Sequence, residues 1–275
     1  MKHEFFFYAG LPRSGGTMLA SLMNQHPDLY CSSLSPTVEL LVYNQKYFVE
    51  ESEQFKADSN IEGMNNVLRG IPQNYYAHIP KKYIMDNNRA WPNNIDRIKQ
   101  HITDKPKIVC IVRDVAGILA SFIHLLNKNN NQGKNFVDQW LLQNGLPLTT
   151  ETRCYYLMQP IGIVNQSLWS FAQAFEKNQS RYLHIVEYED LISNPQETMS
   201  NITKFLEIDN FNFDFENIIN VTPVDDTTYN LEGMHDVRKK LEHNKLDPRK
   251  ILGDELIAKY SGLEFWRKNK YNIFI

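Results

Sequence analysis

Short apolar runs alternate with longer amphipathic segments along the chain. The runs at 5–9 and 107–112 are almost unbroken, and the second is rich in β-branched residues, which is typical of a buried parallel strand. Two further strands are predicted at 83–86 and 181–186, and helices at about 17–26, 115–126, 149–177 with an interruption near Pro160, and around 199–206. We predict one α/β domain, 1–275, with a P-loop-type three-layer fold in which helices flank a central parallel sheet.

A glycine-containing loop follows the first predicted strand. Residues 10–17 read Gly-Leu-Pro-Arg-Ser-Gly-Gly-Thr and match the phosphate-loop pattern G-x-x-x-x-G-K-[ST], except that Gly16 replaces the lysine. The cation is instead Arg13, whose guanidinium can bridge two oxygens of a phosphate or sulfate. The backbone N–H groups expected to point at the same anion are those of Ser14, Gly15, Gly16, Thr17 and Met18.

Two other interpretations of this loop remain open. A glycine-rich turn between a strand and a helix is common and need not bind anything. A P-loop kinase or nucleotide hydrolase would use the missing lysine together with Mg²⁺, and Asp86 at the end of a predicted strand could serve as its metal ligand. The absent lysine argues against such an enzyme and favours a nucleotide with a shorter anionic chain and no metal.

A second candidate anion site follows the strand predicted at 107–112. This strand ends in Arg113 and Asp114, and Ser121 lies eight residues after Arg113. The spacing places Ser121 about two turns into the next helix, on the face toward the end of the strand. Taken alone, the segment could also be an arginine–aspartate pair beside a packed serine.

The loop at 10–19 resembles the 5′-phosphosulfate loop of sulfotransferases that use 3′-phosphoadenosine 5′-phosphosulfate (PAPS). Its continuation at 24–31, Asn-Gln-His-Pro-Asp-Leu-Tyr-Cys, is similar to the tyrosylprotein sulfotransferases and to bacterial and phage relatives. In this comparison Arg113 and Ser121 resemble the 3′-phosphate site of the family. The resemblance therefore implies PAPS as the sulfuryl donor, bound at two separate anion sites.

Two later segments extend the resemblance. Tyr188 begins a Tyr-Glu-Asp-Leu segment similar to a sulfotransferase signature in which the tyrosine lies over the nucleotide. The segment 233–240 resembles a terminal loop that closes over the nucleotide, with Arg238 able to reach the 3′-phosphate. Tyr188 and Arg238 are thus added to the residues expected to bind the donor.

The catalytic residues implied by the resemblance come with two departures from the family. Ser32 and Ser33 stand where the tyrosylprotein enzymes have a glutamate, and the nearest carboxylate is Glu39, which could equally be a helix-capping acid. A lysine usually follows the acid at the end of the strand at 83–86, whereas this chain has Asn87 there, and Arg89 is expected to supply the charge. These departures keep open a third alternative, a catalytically silent nucleotide-binding relative.

The reaction implied is transfer of a sulfuryl group from PAPS to an acceptor hydroxyl or amine without a metal. The residues predicted to be catalytic are Arg13, Glu39 and Arg89. The acceptor could belong to a small molecule, a saccharide or a peptide, because the segments expected to line its pocket carry no recognisable signature.

Composition narrows the possible partners and location. The net charge of −3 gives no general basic field for nucleic acid or an anionic membrane, so neither is predicted as a partner. The three cysteines, Cys31, Cys110 and Cys154, lack the spacing of a zinc or redox site. No apolar run is long enough to span a membrane, and the N-terminal run is too short for a signal peptide; we predict a cytoplasmic protein.

Overall fold

The fold is built on a parallel β-sheet. The computed structural model describes residues 2–129, 133–242 and 246–268. Within these residues the sheet has five strands, in the order β2-β3-β1-β4-β5: β1 (Glu4–Gly10), β2 (Leu29–Cys31), β3 (Tyr83–Asn87), β4 (Ile108–Val112) and β5 (Leu183–Glu187). Every pair of neighbouring strands is parallel. The carboxyl ends of β1, β3 and β4 consequently lie side by side.

Helices occupy the connections between the strands. Their bounds are α1 (Gly16–Met23), α2 (Thr37–Lys46), α3 (Glu53–Ala57), α4 (Ile61–Tyr75), α5 (Ile95–His101), α6 (Val115–Lys128), α7 (Phe136–Gln143), α8 (Thr150–Leu157), α9 (Ile163–Glu176), α10 (Tyr188–Ser193), α11 (Pro195–Leu206), α12 (Pro248–Tyr260, kinked at Gly253) and α13 (Phe265–Lys268). A π-helical turn at Tyr47–Glu51 and 3₁₀ turns at Trp91–Asn94, Ser180–Tyr182 and Asp226–Tyr229 complete these segments.

Alternate residues of the strands pack on opposite faces of the sheet, as the two-residue period of a strand requires. On β1, Phe5 and Phe7 belong to an apolar cluster that includes α6, whereas Phe6 and Tyr8 belong to a second cluster that includes α1 and α11. The sheet is therefore the middle of three layers. The predicted α/β fold of the P-loop type, with helices on both faces of a central parallel sheet, is confirmed.

Two predicted boundaries were wrong. The sequence analysis assigned no strand between the first helix and residue 83, but Leu29 and Cys31 pair with Tyr83 and Met85 to form β2. Three residues are too short for an alternating pattern to be recognised. The helix predicted through residue 26 also ends at Met23, ahead of the turn that leads into β2.

The segment predicted as one interrupted helix at 149–177 forms two helices, α8 and α9. The break spans residues 158–162, around Pro160, and Gly162 caps the second helix. A Cβ at Gly162 would lie only 2.2 Å from the carbonyl oxygen of Tyr156, so the chain can turn this tightly only at a glycine. Among the described helices, none combines the length and apolar character needed to cross a membrane.

Candidate active site

A cleft of about 700 Å³ opens where the strands β1, β3 and β4 end. Loops at the carboxyl edge of a parallel sheet are where ligands of such folds bind. Most residues predicted to be functional line this cleft: Arg13, Gly15, Gly16, Thr17, Met18, Glu39, Arg89, Arg113, Ser121, Tyr188 and Arg238. Ser14 is buried beside it, where its hydroxyl donates a hydrogen bond of 2.6 Å to the carbonyl of Leu11.

The glycine loop is fixed by contacts that only glycine allows. Gly15 precedes α1 with a φ of 85°, a backbone conformation that is costly for other residues. A Cβ there would lie 3.0 Å from the ring of Tyr188. Because no side chain caps α1, the N–H groups of Gly16, Thr17 and Met18 in its first turn are available to an anion in the cleft.

Arg13 connects the two predicted anion sites. Its Nε donates a hydrogen bond of 3.2 Å to the hydroxyl oxygen of Ser121, and its Nη1 donates to the carbonyl of Met234. Burial lowers the pKa of Arg13, while the nearby carboxylate of Asp226 acts in the opposite direction. The guanidinium thus lies at the junction of the glycine loop, α6 and the segment near residue 234, inside a partly dehydrated site.

Arg113 lies at the end of β4, as predicted, and is 8% exposed. Its guanidinium stacks on the ring of Tyr188 at 4.6 Å, and its Nε is a buried donor with no hydrogen-bond partner among the described residues. The carboxylates of Asp114 and Glu189 lie 3.9 and 4.0 Å from this nitrogen. Asp114 instead caps α6 by accepting a hydrogen bond from Gly117 N. A buried cation with an unused donor is suited to a bound phosphate oxygen.

Glu39 and Arg89 also line the cleft. Glu39 is exposed in the first turn of α2, and both its carboxylate oxygens accept hydrogen bonds of 3.0 Å from Asn88 Nδ2. The Arg89 guanidinium has no hydrogen bond or ion pair with another described residue, and burial lowers its pKa. Arg89 is therefore a largely desolvated cation that faces the cleft, whereas Glu39 is a solvated carboxylate at its rim.

Asn87 contacts Ser32 and Ser33, the other positions at which the sequence departs from the sulfotransferase pattern. Asn87 Nδ2 donates a hydrogen bond of 2.5 Å to the carbonyl of Ser33, and the Asn87 backbone N–H donates to Ser32 Oγ at 2.9 Å. Ser33 Oγ is in turn 2.7 Å from Thr222 Oγ1. Asn87 therefore holds the loop after β2 in place, and its amide is not directed at a reacting group.

Asp86, considered above as a metal ligand, is buried among donors. Its carboxylate accepts hydrogen bonds from the hydroxyls of Ser35, Thr37 and Tyr76 and from the indole N–H of Trp91, at 2.6 to 2.8 Å. Burial raises the pKa of Asp86 even though these hydrogen bonds act to lower it. This carboxylate joins β3 to α2 and α4 and is directed into the protein. The described residues also contain no group of three or more histidine, cysteine and acidic side chains arranged to hold a metal ion.

The sequence analysis missed most of one wall of the cleft. Here we define the cleft loop as residues 226–238; it contributes Tyr229, Met234, His235, Asp236 and Arg238 to the lining. Only Arg238 was predicted, and its exposed side chain lies at the rim. The remaining residues belong to an irregular segment without periodicity, so the sole available signal was the adjacent Met-His-Asp sequence in a region that resembles a closing loop.

The profile of the sulfotransferase family matches residues 6–212, whereas no curated protein matches the chain. Solved structures with a similar fold include the sulfotransferase domain from the curacin biosynthetic pathway, at 14% identity and a TM-score of 0.43 over 100% of this chain and 92% of that chain.

Two further similar structures are a sulfotransferase from Alicyclobacillus acidocaldarius, at 12% identity and a TM-score of 0.46 over 82% of this chain and 87% of that chain, and a mouse sulfotransferase complexed with PAP, at 17% identity and a TM-score of 0.46 over 76% of this chain and 60% of that chain. The family profile confirms the membership of the sulfotransferase family that was predicted from the loop and strand-end motifs. Since it matches well over half of the chain, the protein belongs to the sulfotransferase family.

Proposed function

We propose that the cleft binds PAPS and transfers its sulfuryl group to a hydroxyl or amine of an acceptor. The observation that carries this proposal is the hydrogen bond from Arg13 Nε to Ser121 Oγ. It brings the glycine loop and the second anion site into one cleft, each with its own arginine. A donor that carries a 5′-phosphosulfate and a 3′-phosphate requires two such anion sites side by side.

The residues present fit this donor. The first-turn N–H groups of α1 and the guanidinium of Arg13 would hold the 5′-phosphosulfate, since these donors converge on one end of the cleft. Arg113 and Ser121 would hold the 3′-phosphate, because the unpartnered Arg113 Nε requires an acceptor. The ring of Tyr188 supplies an aromatic surface for the nucleotide, and Arg238 at the rim adds a further cation.

Two arginines would stabilise the charge that develops during transfer. Sulfuryl transfer moves negative charge onto the oxygen that leaves with the 5′-phosphate, and fixed cations in a partly dehydrated cleft stabilise such charge strongly. Arg13 in the glycine loop and Arg89 opposite it are the candidates. Glu39 remains a predicted base, although its carboxylate is solvated and already accepts two hydrogen bonds.

The acceptor and the cellular setting belong to the proposal as well. We propose an acceptor hydroxyl or amine of a small molecule, saccharide or peptide, a single catalytic domain over 1–275, a cytoplasmic location, and no nucleic-acid or membrane partner. The low net charge of the chain supports the last point, because a basic surface is what attracts those polyanions.

One alternative has a specific observation in its favour. In a catalytically silent relative the donor site would persist while the reacting groups were lost, and the contact of Asn87 with Ser33 shows that neither position presents a base or a lysine to the cleft. The alternative of a P-loop kinase has less support, because Gly16 takes the place of the lysine and Asp86 is engaged on both oxygens by other side chains.

The proposal is tested by incubating the protein with PAPS labelled on sulfur and a panel of simple phenols, alcohols, amines and oligosaccharides, with a metal chelator present. We expect labelled acceptor and stoichiometric PAP from at least one of them. Binding of PAP without turnover of any acceptor would support the silent relative. Transfer of phosphate from ATP that requires Mg²⁺ would support the kinase.

A further inference from the structure

The cleft loop contains a histidine–aspartate pair that no motif predicted. His235 Nδ1 lies 2.5 Å from Asp226 Oδ1, and the His235 backbone N–H donates a hydrogen bond of 2.9 Å to Asp226 Oδ2. Both carboxylate oxygens of Asp226 thus accept hydrogen bonds from His235. Because a carboxylate accepts and does not donate, Nδ1 carries a proton, and in the neutral imidazole Nε2 then has the lone pair.

The pair is held rigidly. Leu231 and Met234, both within the cleft loop, are buried in the core, at 0% and 5% exposed. The carbonyl of Met234, next to His235 in the chain, accepts a hydrogen bond from Arg13. The side chains of His235 and Asp226 are each 11% exposed, so the imidazole has little freedom to turn, yet it lines the cleft.

Residues next to His235 contact or influence two arginines of the cleft, Arg13 and Arg89. On one side, its neighbour Met234 contacts Arg13, and Asp226 is close enough to affect the electrostatics of Arg13. On the other side, the imidazole contacts the ring of Tyr229 at a centroid distance of 6.0 Å, and Tyr229 affects the electrostatics of Arg89. His235 therefore lines the same cleft as both arginines, in which we place the transferring sulfuryl group.

We propose that His235 Nε2 is the general base that removes the proton from the hydroxyl or amine of the sulfuryl acceptor, with Asp226 as its positioning residue. This inference rests on the proposed sulfuryl transfer. The acceptor oxygen or nitrogen forms its bond to sulfur as the bond between sulfur and the 5′-phosphate oxygen breaks. The electron pair of that bond leaves with PAP. The acceptor proton passes to Nε2, and the carboxylate of Asp226 stabilises the imidazolium that results.

His235 meets the requirements of a base better than Glu39 does. A base must present a free lone pair near the reacting atom, and Nε2 of His235 has no hydrogen-bond partner among the described residues. The carboxylate of Glu39 is exposed and accepts from Asn88. Asp226 and Tyr229 contact His235, and the charged groups of Asp236, Arg13 and Arg89 line the same cleft.

The experiment compares three single variants using the acceptor that the wild-type protein turns over fastest in the labelled PAPS assay. His235→Asn retains an N–H that can reach Asp226 but lacks Nε2. Asp226→Asn retains the shape of the pair but not the charge that fixes the tautomer. Glu39→Gln tests the rival candidate for the base. For each variant, kcat, the pH profile of kcat/KM and the thermal stabilisation by PAP are measured.

The proposal predicts that His235→Asn and Asp226→Asn each lower kcat by about 10²- to 10⁴-fold, the range typical of a lost general base. Stabilisation by PAP should remain at the wild-type level, and the fall of kcat/KM on the acid side should disappear in His235→Asn, which a purely structural role would not produce. Glu39→Gln should lower kcat less than His235→Asn does. If His235→Asn does not fold, the same result in Asp226→Asn still tests the pair.

Three results would overturn the proposal while wild-type transfer persists. His235→Asn could keep the wild-type kcat, or Glu39→Gln could show the large loss in its place. His235→Asn could also lose stabilisation by PAP as Arg113→Ala does while keeping kcat at saturating PAPS, which would make His235 a phosphate ligand. If wild-type protein is neither stabilised by PAP nor active with PAPS, the proposed function itself is wrong.

Discussion

Arg13 Nε donates a hydrogen bond of 3.2 Å to the hydroxyl of Ser121, 108 residues further along the chain. The contact joins the loop after β1 to the helix after β4. These strands are neighbours in the sheet and parallel, so their carboxyl ends meet at the same edge. The Arg13 guanidinium therefore lies at the boundary between the two predicted anion sites.

Replacement of Arg13 tests its role in transfer. Arg13→Ala should lower kcat/KM for PAPS by about 10²- to 10³-fold, because a preorganised charge on a leaving group typically contributes this much. The measurement is turnover of labelled PAPS at several concentrations. As a matched control, Arg181→Ala removes an arginine that is exposed and stacks on Tyr182, and it should be neutral. Wild-type turnover in Arg13→Ala would exclude this role.

Gly15→Ala should both destabilise the protein and weaken nucleotide binding. Its φ of 85° costs an alanine about 1 to 2 kcal/mol, and the added methyl would lie 3.0 Å from the Tyr188 ring. Gly145→Ala is the matched control, since Gly145 has a φ of 66° but no atom within 4 Å of an added Cβ.

Thermal unfolding with and without PAP separates the two effects. Both variants should lose stability from backbone strain, but only Gly15→Ala should lose stabilisation by PAP, because only its methyl displaces the nucleotide-facing ring. Equal stabilisation of the two variants by PAP would mean that the contact between Gly15 and Tyr188 does not shape the site.

Arg153 belongs to a buried ion pair away from the cleft, and its substitution should strongly destabilise the fold. Arg153 Nε and Nη2 donate hydrogen bonds of 2.8 and 2.9 Å to the carboxylate of Asp138, and both residues are buried. Arg153→Met should lower the free energy of unfolding by about 3 to 5 kcal/mol, because it leaves a buried carboxylate uncompensated. Chemical denaturation measures this loss.

Arg249→Met is the control for that substitution. Arg249 pairs with Asp254 at 2.9 Å, but both side chains are exposed, so the loss should be below about 1 kcal/mol. The double variant Arg153→Met/Asp138→Leu should recover much of the stability that the single variant loses. If the single and double variants are equally unstable, lost packing and not the unpaired charge is the cause.

The same pair predicts a pH dependence of stability. Burial acts to raise the pKa of Asp138, but hydrogen bonds from Arg153 and its neighbours outweigh it, and the pKa in the folded protein lies below the ordinary value. Asp138 in the unfolded chain therefore binds a proton more readily than Asp138 in the folded protein. The stabilisation is complete above the ordinary pKa of an aspartate, about 4, and is lost as the pH falls through the lower folded value. Arg153→Met should remove this part of the acid denaturation profile.

The sequence predicted the parts of the site that local pattern determines. The apolar runs at 5–9 and 107–112 identified β1 and β4 because buried parallel strands are almost uniformly apolar. The residues that follow these strands were predicted to form the two anion sites. Their proximity was expected for a parallel sheet, but the contact of Arg13 with Ser121 was not. That contact depends on side-chain conformations that a sequence pattern does not encode.

The remainder of the site depends on long-range packing. The cleft loop has no periodicity and is held by Leu231 and Met234 in the distant core, so neither the pairing of His235 with Asp226 nor its approach to Arg13 could be predicted. The engagement of Glu39 by Asn88 likewise joins residues 49 apart. The role of Asn87 was missed because its partner is a backbone carbonyl, which any sequence would offer.

The most direct test of the account is thermal unfolding with PAP, compared with ATP and Mg²⁺, for wild-type protein and Arg113→Ala. At 100 times its dissociation constant, PAP should add about 2.7 kcal/mol, or roughly 5–10 °C in a domain of this size. We predict that PAP alone stabilises the wild-type protein and that Arg113→Ala abolishes the effect. Stabilisation by ATP with Mg²⁺ in place of PAP, or an equal effect of PAP on Arg113→Ala, would contradict the proposed donor site.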